Sequence, residues 1–378
     1  MKLNMRILLI QIIVSIFSFE IFSFILLSTG LVPNILHKLG FKKPEDILHQ
    51  GVSWRTEEKS WGAWHKKNSI SKHSRSCFNV NYESNNLGAR DVEDYSKNFP
   101  KDSILALGDS FMEGYGLNHE DTLPFKIQKK IKKKVYNLSS SYDFGPLQYY
   151  LLYKSLGGNL PHETVILTFL PFNDFVDNDY NNIHKIGENR FRPYYQTNNQ
   201  KNDYKIIYPK KAKKTKSIGR NKFHAFMISQ SIRSNSVLLY KNIKLIYKSK
   251  IKENKLSNFS FVNIPIKEQN AATHFVKKTY QLAKKRGIKN FIILSIPIKN
   301  DFKYLEDNNY PPTDKWEKDF KNLDINNKDF TYINGLEVVK KELYKEHENL
   351  FLKCDGHWSK NGTEIYSDLL FSKLKEIL

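Results

Sequence analysis

Residues Ser103-Ile104-Leu105-Ala106-Leu107-Gly108-Asp109-Ser110-Phe111 decide how this chain is read. Ile104 to Leu107 is a short apolar run ending at a glycine, the pattern of a strand buried on both faces of a parallel sheet. A hydroxyl residue then stands on the turn that leaves the strand, where a side chain projects into the crevice above the sheet. Toward the C-terminus, strand and helix signals alternate. Leu123 to Lys134 has the spacing of an amphipathic helix and Val135 to Leu138 that of a second strand. Pro146 opens a helix running to Leu156, proline being suited to a first helical turn. Further strands are expected at Val165–Leu170, Phe291–Ile296 and Phe330–Ile333. Further helices are expected at Glu268–Arg286, which Gly287 stops, and at Gly362–Leu378. Repeated β-α-β units imply an α/β fold, a parallel sheet with helices on both faces. Such folds place their chemistry in loops at the carboxyl ends of strands.

Toward the N-terminus, Val32 to Asn98 is polar and rich in aromatic residues, with Trp54, Trp61 and Trp64 at irregular spacing. Loops and short strands are expected there, and the tryptophans either pack or stack on sugars. Before this segment, Ile7 to Leu27 is a nearly unbroken apolar run. At ~1.5 Å per residue it is about long enough to cross a ~30 Å hydrocarbon core. Lys2 and Arg6 precede it, so the N-terminus should stay cytoplasmic and the remainder should be exported. Ser28-Thr29-Gly30 would suit a signal peptidase, but the run exceeds the ~7–15 residues of an ordinary signal core, which favours an uncleaved anchor. Glu20 within it is costly as an ion and requires protonation or a partner helix. The two cysteines, Cys77 and Cys354, can form one disulfide in an exported protein, tying the segment after the anchor to the loop at Asp355.

A chain of 378 residues that is 40% apolar has material for a buried core, which sets disorder aside. The formal charge is +21, and it is unevenly spread: Asn181 to Asn258 holds 19 basic and 3 acidic residues. No recognisable nucleic-acid reading module accompanies that charge, so an anionic lipid surface or an acidic polysaccharide is the expected partner rather than nucleic acid. Lys210 to Lys216 reads as a basic loop, and Val237 to Ile251 as a basic amphipathic helix that either packs on the main domain or docks on a membrane.

Three motifs fall at expected strand ends. Gly108-Asp109-Ser110 offers a serine nucleophile on the turn after the first strand, with Asp109 fixing the turn and Gly114 and Gly116 permitting tight turns behind it. Asn173-Asp174 follows the third strand; a side-chain amide there can donate to a developing oxyanion, whereas Asp174 suits a structural turn or cap. Asp355-Gly356-His357-Trp358 precedes the last helix and places a base beside a carboxylate. No His/Asp/Glu cluster has ligand spacing, so neither metal nor cofactor is expected.

Taken in this order, the motifs resemble those of the SGNH, or GDSL-type, hydrolases. Ser110 matches the nucleophile block, Asn173 the Asn block, and Asp355 with His357 the terminal block. Asn137-Leu138-Ser139-Ser140 and Gly145-Pro146-Leu147-Gln148 are similar to the segment bearing the family's glycine. The resemblance implies a three-layer α/β/α flavodoxin-like domain performing ester hydrolysis or acyl transfer. It implies an oxyanion hole of the Ser110 N–H, the Asn173 amide and a backbone N–H near Ser139. The chain departs from the family in having serine at 139–140 where glycine is usual, Phe172 before Asn173, and Asp-x-His spacing at the end. The expected organisation is an anchor over 1–30, an extracytoplasmic segment over 31–98, and the hydrolase domain over 99–378 with a basic insertion at 178–258. The function expected is a serine esterase acting on O-acyl groups of surface glycans, in the periplasm or at the cell surface. An O-acyltransferase for surface polysaccharide and a non-catalytic glycan-binding or assembly protein are the alternatives.

Overall fold

The computed structural model describes residues 2–29, 31, 55–75, 77–141, 144–180, 191–198, 203–208, 235–236, 239–240, 243–244, 259–308, 313–337 and 347–378. The chain forms two compact units, Met1–Gln50 with Lys214–Ser257, and Gly51–Lys213 with Asn258–Leu378.

In the first unit, helix α1 (Lys2–Ser28) contains Ile7–Leu26, which by length and composition can cross a membrane. Among its described residues it is exposed along nearly its whole length. The Glu20 carboxylate accepts from the backbone N–H of Asn235 at 2.5 Å and of Ser236 at 3.4 Å, and from the Ser236 hydroxyl. Asn235, Ser236, Leu239, Tyr240, Ile243 and Lys244 are helical. Glu20 therefore meets backbone N–H groups of a second helical segment. The other residues of the expected Val237–Ile251 helix, and the Lys210–Lys216 loop, lie outside the described residues.

In the second unit, β1 (Arg55–Glu58) pairs antiparallel with β2 (Gly62–His65), and β3 (Ser69–Arg75) with β4 (Phe78–Ser84). The main sheet starts with β5 (Ile104–Gly108), followed by α2 (Ser110–Glu113), α3 (Leu123–Ile131), β6 (Val135–Ser139), α4 (Pro146–Ser155) and β7 (Thr164–Phe169). A hairpin of β8 (Tyr194–Asn198) and β9 (Asp203–Ile207) precedes α5 (Ile266–Lys285) and β10 (Asn290–Ser295). Then come α6 (Lys299–Asp307), α7 (Lys315–Asn326), β11 (Phe330–Asn334) and α8 (Lys360–Ile377).

The five main strands are all parallel, in the order β11-β10-β7-β5-β6. The step from β5 to β6 runs one way along the sheet, and the later steps run the other. Right-handed crossovers then put α3 on one face and α4, α5 and α7 on the opposite one. The packing follows: α8 lies on α3, while α4 and α7 lie on α5. The result is a three-layer α/β/α domain with the flavodoxin-like order 2-1-3-4-5. Its chain direction reverses between β5 and β7, which opens a crevice at their carboxyl ends. Ile104, Leu105, Ala106 and Leu107 are each 0% exposed, which is why β5 reads as unbroken apolar sequence.

Several boundaries differ from expectation. Helix α3 ends at Ile131 and not at Lys134, because Lys132 takes a left-handed φ of 60° and turns the chain into β6. The compact unit starts at Gly51 and not at residue 99. Trp61, Trp64, Ala89 and Tyr95 belong to the same apolar core as β5, and the Trp64 indole donates to the Leu87 carbonyl at 2.9 Å, so these tryptophans pack. The expected insertion is also narrower: β8 and β9 belong to this unit, with Tyr195 at 1% exposure against Phe275 of α5.

Candidate active site

Gly108 ends β5 where the backbone has no room for a side chain. An added Cβ would lie 2.0 Å from Thr168 Oγ1 and 2.7 Å from Met112 Cβ. Glycine thus lets α2 leave the strand directly alongside β7. Asp109 caps that one-turn helix, its Oδ1 accepting the Phe111 N–H at 3.0 Å. Gly114 closes the helix in the left-handed region at φ 87°. Buried Arg90 donates to the carbonyls of Glu113, Gly114 and Leu117, which fixes the other end. Glu113 is itself buried against His65, with Nε2 and Oε1 3.1 Å apart. His65 Nδ1 lies 2.8 Å from the Gly88 carbonyl, to which it donates.

The C-terminal motif is brought over Ser110 by packing. Trp358 is 1% exposed, stacks on Tyr366 of α8 at 4.4 Å, and meets Phe111 edge-on at 5.1 Å. The Ser359 hydroxyl caps α8 by accepting the Gly362 N–H at 3.2 Å. Held this way, His357 Nε2 lies 2.6 Å from Ser110 Oγ, while its Nδ1 is hydrogen-bonded to Asp355 Oδ1. Tyr115 stacks on the imidazole at 4.3 Å, and Phe111 lies against it at 4.9 Å. Arg75, at the end of β3, donates to Asp355 Oδ2 at 3.3 Å. Burial disfavours the charged Asp355, yet the hydrogen bond and charge of His357, with the Arg75 guanidinium, hold its carboxyl below the usual range. A disulfide joins Cys77 to Cys354 across 277 residues of sequence, so the β3–β4 hairpin is tied to this loop.

The third motif sits on the turn after β7. The N–H groups of Asn173 and Asp174 donate to the Leu170 carbonyl at 3.2 and 2.9 Å, and Asp174 Oδ2 accepts from the Leu170 N–H at 2.8 Å. The Asn173 side chain lines the cavity, its amide oxygen buried without a protein hydrogen bond. Asp174 is buried beneath, next to Asp109. Burial first, and then the charge of Asp109, push the Asp174 carboxyl well above its ordinary range. Asp109 is pushed up to about 6, again chiefly by burial.

One expected site residue is elsewhere. Ser139 is the last residue of β6, in register with Gly108, 0% exposed, with its hydroxyl bonded to the Asn137 side chain. It does not border the cavity. The strand runs one residue further than its apolar sequence does, and that keeps Ser139 inside the sheet. The next two N–H groups are engaged as well, Ser140 with the Gly108 carbonyl at 3.3 Å and Ser141 with Glu113. Of the residues expected to supply oxyanion donors, Ser110 and Asn173 line the cavity.

Ser110, His357, Asp355 and Asn173 share one cavity of about 500 Å³. Its walls also carry Arg75, Tyr115, Ser141 and Lys299, none of which the motifs revealed. Tyr115 alone had a nearby signal, lying between Gly114 and Gly116. Chemically, an imidazole between a carboxylate and a serine hydroxyl can remove the hydroxyl proton while the carboxylate stabilises the resulting imidazolium.

No family model matches the chain, and no curated protein does. Among solved structures, a protein assigned to the G-D-S-L family of lipolytic proteins, from Desulfitobacterium hafniense DCB-2, matches at 12% identity. The match covers 71% of this chain and 98% of that one, with a TM-score of 0.37.

Proposed function

We propose that this chain is a serine esterase of the SGNH type that removes acyl groups from ester substrates through an acyl-enzyme. The observation that carries the reading is the line from Asp355 through His357 to Ser110, closing at 2.6 Å in an open cavity. His357 Nε2 takes the Ser110 proton as Oγ attacks the ester carbonyl. The oxyanion rests on the Ser110 N–H and the Asn173 amide, each such donor typically contributing ~10²–10³ in kcat. Collapse expels the alcohol, which receives the proton from His357 and leaves an acyl-serine. Water, activated by the same imidazole, then frees the acid; a sugar hydroxyl in its place would make the reaction a transfer. The engaged serine supports an enzyme over a glycan-binding scaffold.

The acyl groups are those of surface glycans. The apolar α1 with Lys2 and Arg6 before it supports a single-pass anchor with a cytoplasmic N-terminus and the catalytic unit outside, in the periplasm or at the cell surface. The Cys77–Cys354 bond supports an oxidising compartment. Treatment of the folded chain with a fluorophosphonate probe should label Ser110, and the Ser110→Ala and His357→Ala variants should not react. A folded parent that resists the probe would argue for the scaffold reading.

A further inference from the structure

We infer that Arg75 recognises an anionic group on the alcohol part of the ester, which makes an acylated acidic sugar the substrate class; this rests on the esterase reading above. Arg75 is 280 residues from Asp355 in sequence and stands two residues before the disulfide that brings the hairpin to the catalytic loop. Its side chain forms part of the cavity wall and is 27% exposed. A guanidinium has five N–H donors. The 3.3 Å bond to Asp355 engages one, Nε is buried without a protein partner, and the group lies 5.6 Å from the Tyr115 ring centroid.

The electrostatics point the same way. Asp355 must stabilise the imidazolium that forms on His357, and a cation on its second oxygen draws on that same charge. An anion on the substrate would occupy the Arg75 fork and return Asp355 to His357. Its position on the substrate follows from the reaction. The carbonyl oxygen faces the Ser110 N–H and Asn173, whereas the leaving oxygen must reach His357 for its proton. Arg75 contacts Asp355 and Tyr115, the two groups that flank His357, so the charge belongs to the alcohol. Lys299 adds a second cation to the wall, although Glu348 holds it at 2.9 Å. A cavity of about 500 Å³ is in the ordinary range for small ligands and suits a short acyl group on one sugar unit.

The test uses the full chain in a neutral, ester-free detergent, with Ser110→Ala to hold substrate without turnover. Calorimetry compares a methyl O-acetyl-glucuronoside with the methyl O-acetyl-glucoside acetylated at the same position. The uronide should bind about 10- to 100-fold more tightly, the range for a hydrogen-bonded charge pair, and salt should erode the difference. Adding Arg75→Gln should abolish the preference, while Arg75→Lys should keep part of it and serves if the glutamine variant does not fold. Equal affinity for the two sugars, or a preference that survives Arg75→Gln, overturns the assignment. Binding of dihexanoyl phosphatidylglycerol in place of the uronide overturns the sugar class. Turnover by the Ser110 parent is scored separately. A uronide preference without ester hydrolysis would refute the esterase reading and still support Arg75 as the anion site.

Discussion

Exchanging Asp174 for asparagine should relieve the protein of a stability loss that grows with pH, with the active site left intact. Tyr149 has a single hydroxyl hydrogen, yet its oxygen lies 3.0 Å from the Phe144 carbonyl and 2.9 Å from Asp174 Oδ1. One hydroxyl hydrogen serves only one of these acceptors fully, whereas a protonated Asp174 donating to Tyr149 would satisfy both contacts. Burial, followed by the charge of Asp109, raises the Asp174 pKa, in agreement with a protonated carboxyl. For a group raised in the folded state, the stability it contributes is complete below the unfolded carboxyl value of ~3.9 and is lost as pH rises through the folded value. Across that window the loss amounts to about 1.4 kcal/mol per pH unit for one proton. An asparagine at 174 can donate to Tyr149 and accept from the Leu170 N–H with no proton to lose. Urea unfolding followed by tryptophan fluorescence, for parent and variant from pH 4 to 8, should show similar stability at the acid end. From about pH 4 upward the gap should widen in favour of the variant, as the unfolded carboxyl ionises. Asp109, itself pushed up to about 6, should leave part of the parent's slope in both proteins. Fluorophosphonate labelling should stay within about twofold, since Asp174 faces Leu170 and Tyr149. Parallel pH profiles, or a variant less stable by about 2 kcal/mol at pH 7.5, would refute the protonated carboxyl, because a lost carboxylate acceptor costs roughly that much.

Asn173→Ala should lower kcat by ~10²–10³ with an unchanged unfolding midpoint; an undiminished rate removes Asn173 from the oxyanion hole. Gly108→Ala should cost about 1–3 kcal/mol in denaturant unfolding, because its Cβ would meet Thr168 Oγ1 at 2.0 Å. Adding Thr168→Ala to that variant should recover part of the loss, and a double variant no better than the single one would locate the strain elsewhere. Replacing Cys77 and Cys354 by alanine opens a 277-residue loop, for which chain entropy sets a loss of up to about 5 kcal/mol. Tm should fall and serine labelling should slow as the loop carrying Asp355 loosens, whereas an unchanged Tm in the oxidised protein would show that packing alone holds the hairpin.

Much of the architecture was legible because it depends on local pattern. Ile104 to Leu107 and Val165 to Leu167 are buried on both faces, and a strand in that setting reads as a nearly continuous apolar run. The nucleophile turn was legible too, since a strand that passes straight into a helix requires Gly108 and a capping Asp109. Neighbours far apart in sequence were not. Arg75 meets Asp355 only because a disulfide and a hairpin cross 280 positions, and no periodicity records that. Ser139 shows the complementary limit: its polar side chain suggested a loop, but hydrogen-bond register with Gly108 carried β6 one residue further. The raised pKa of Asp174 comes from its burial and from the charge of Asp109, which reaches it from a separate element. Short-range sterics and runs of apolar residues are written into the chain and determined the strands and the turn that carries Ser110. Cavity walls, proton positions and the partners of buried charges exist only once distant segments pack, so the tertiary structure alone decided them.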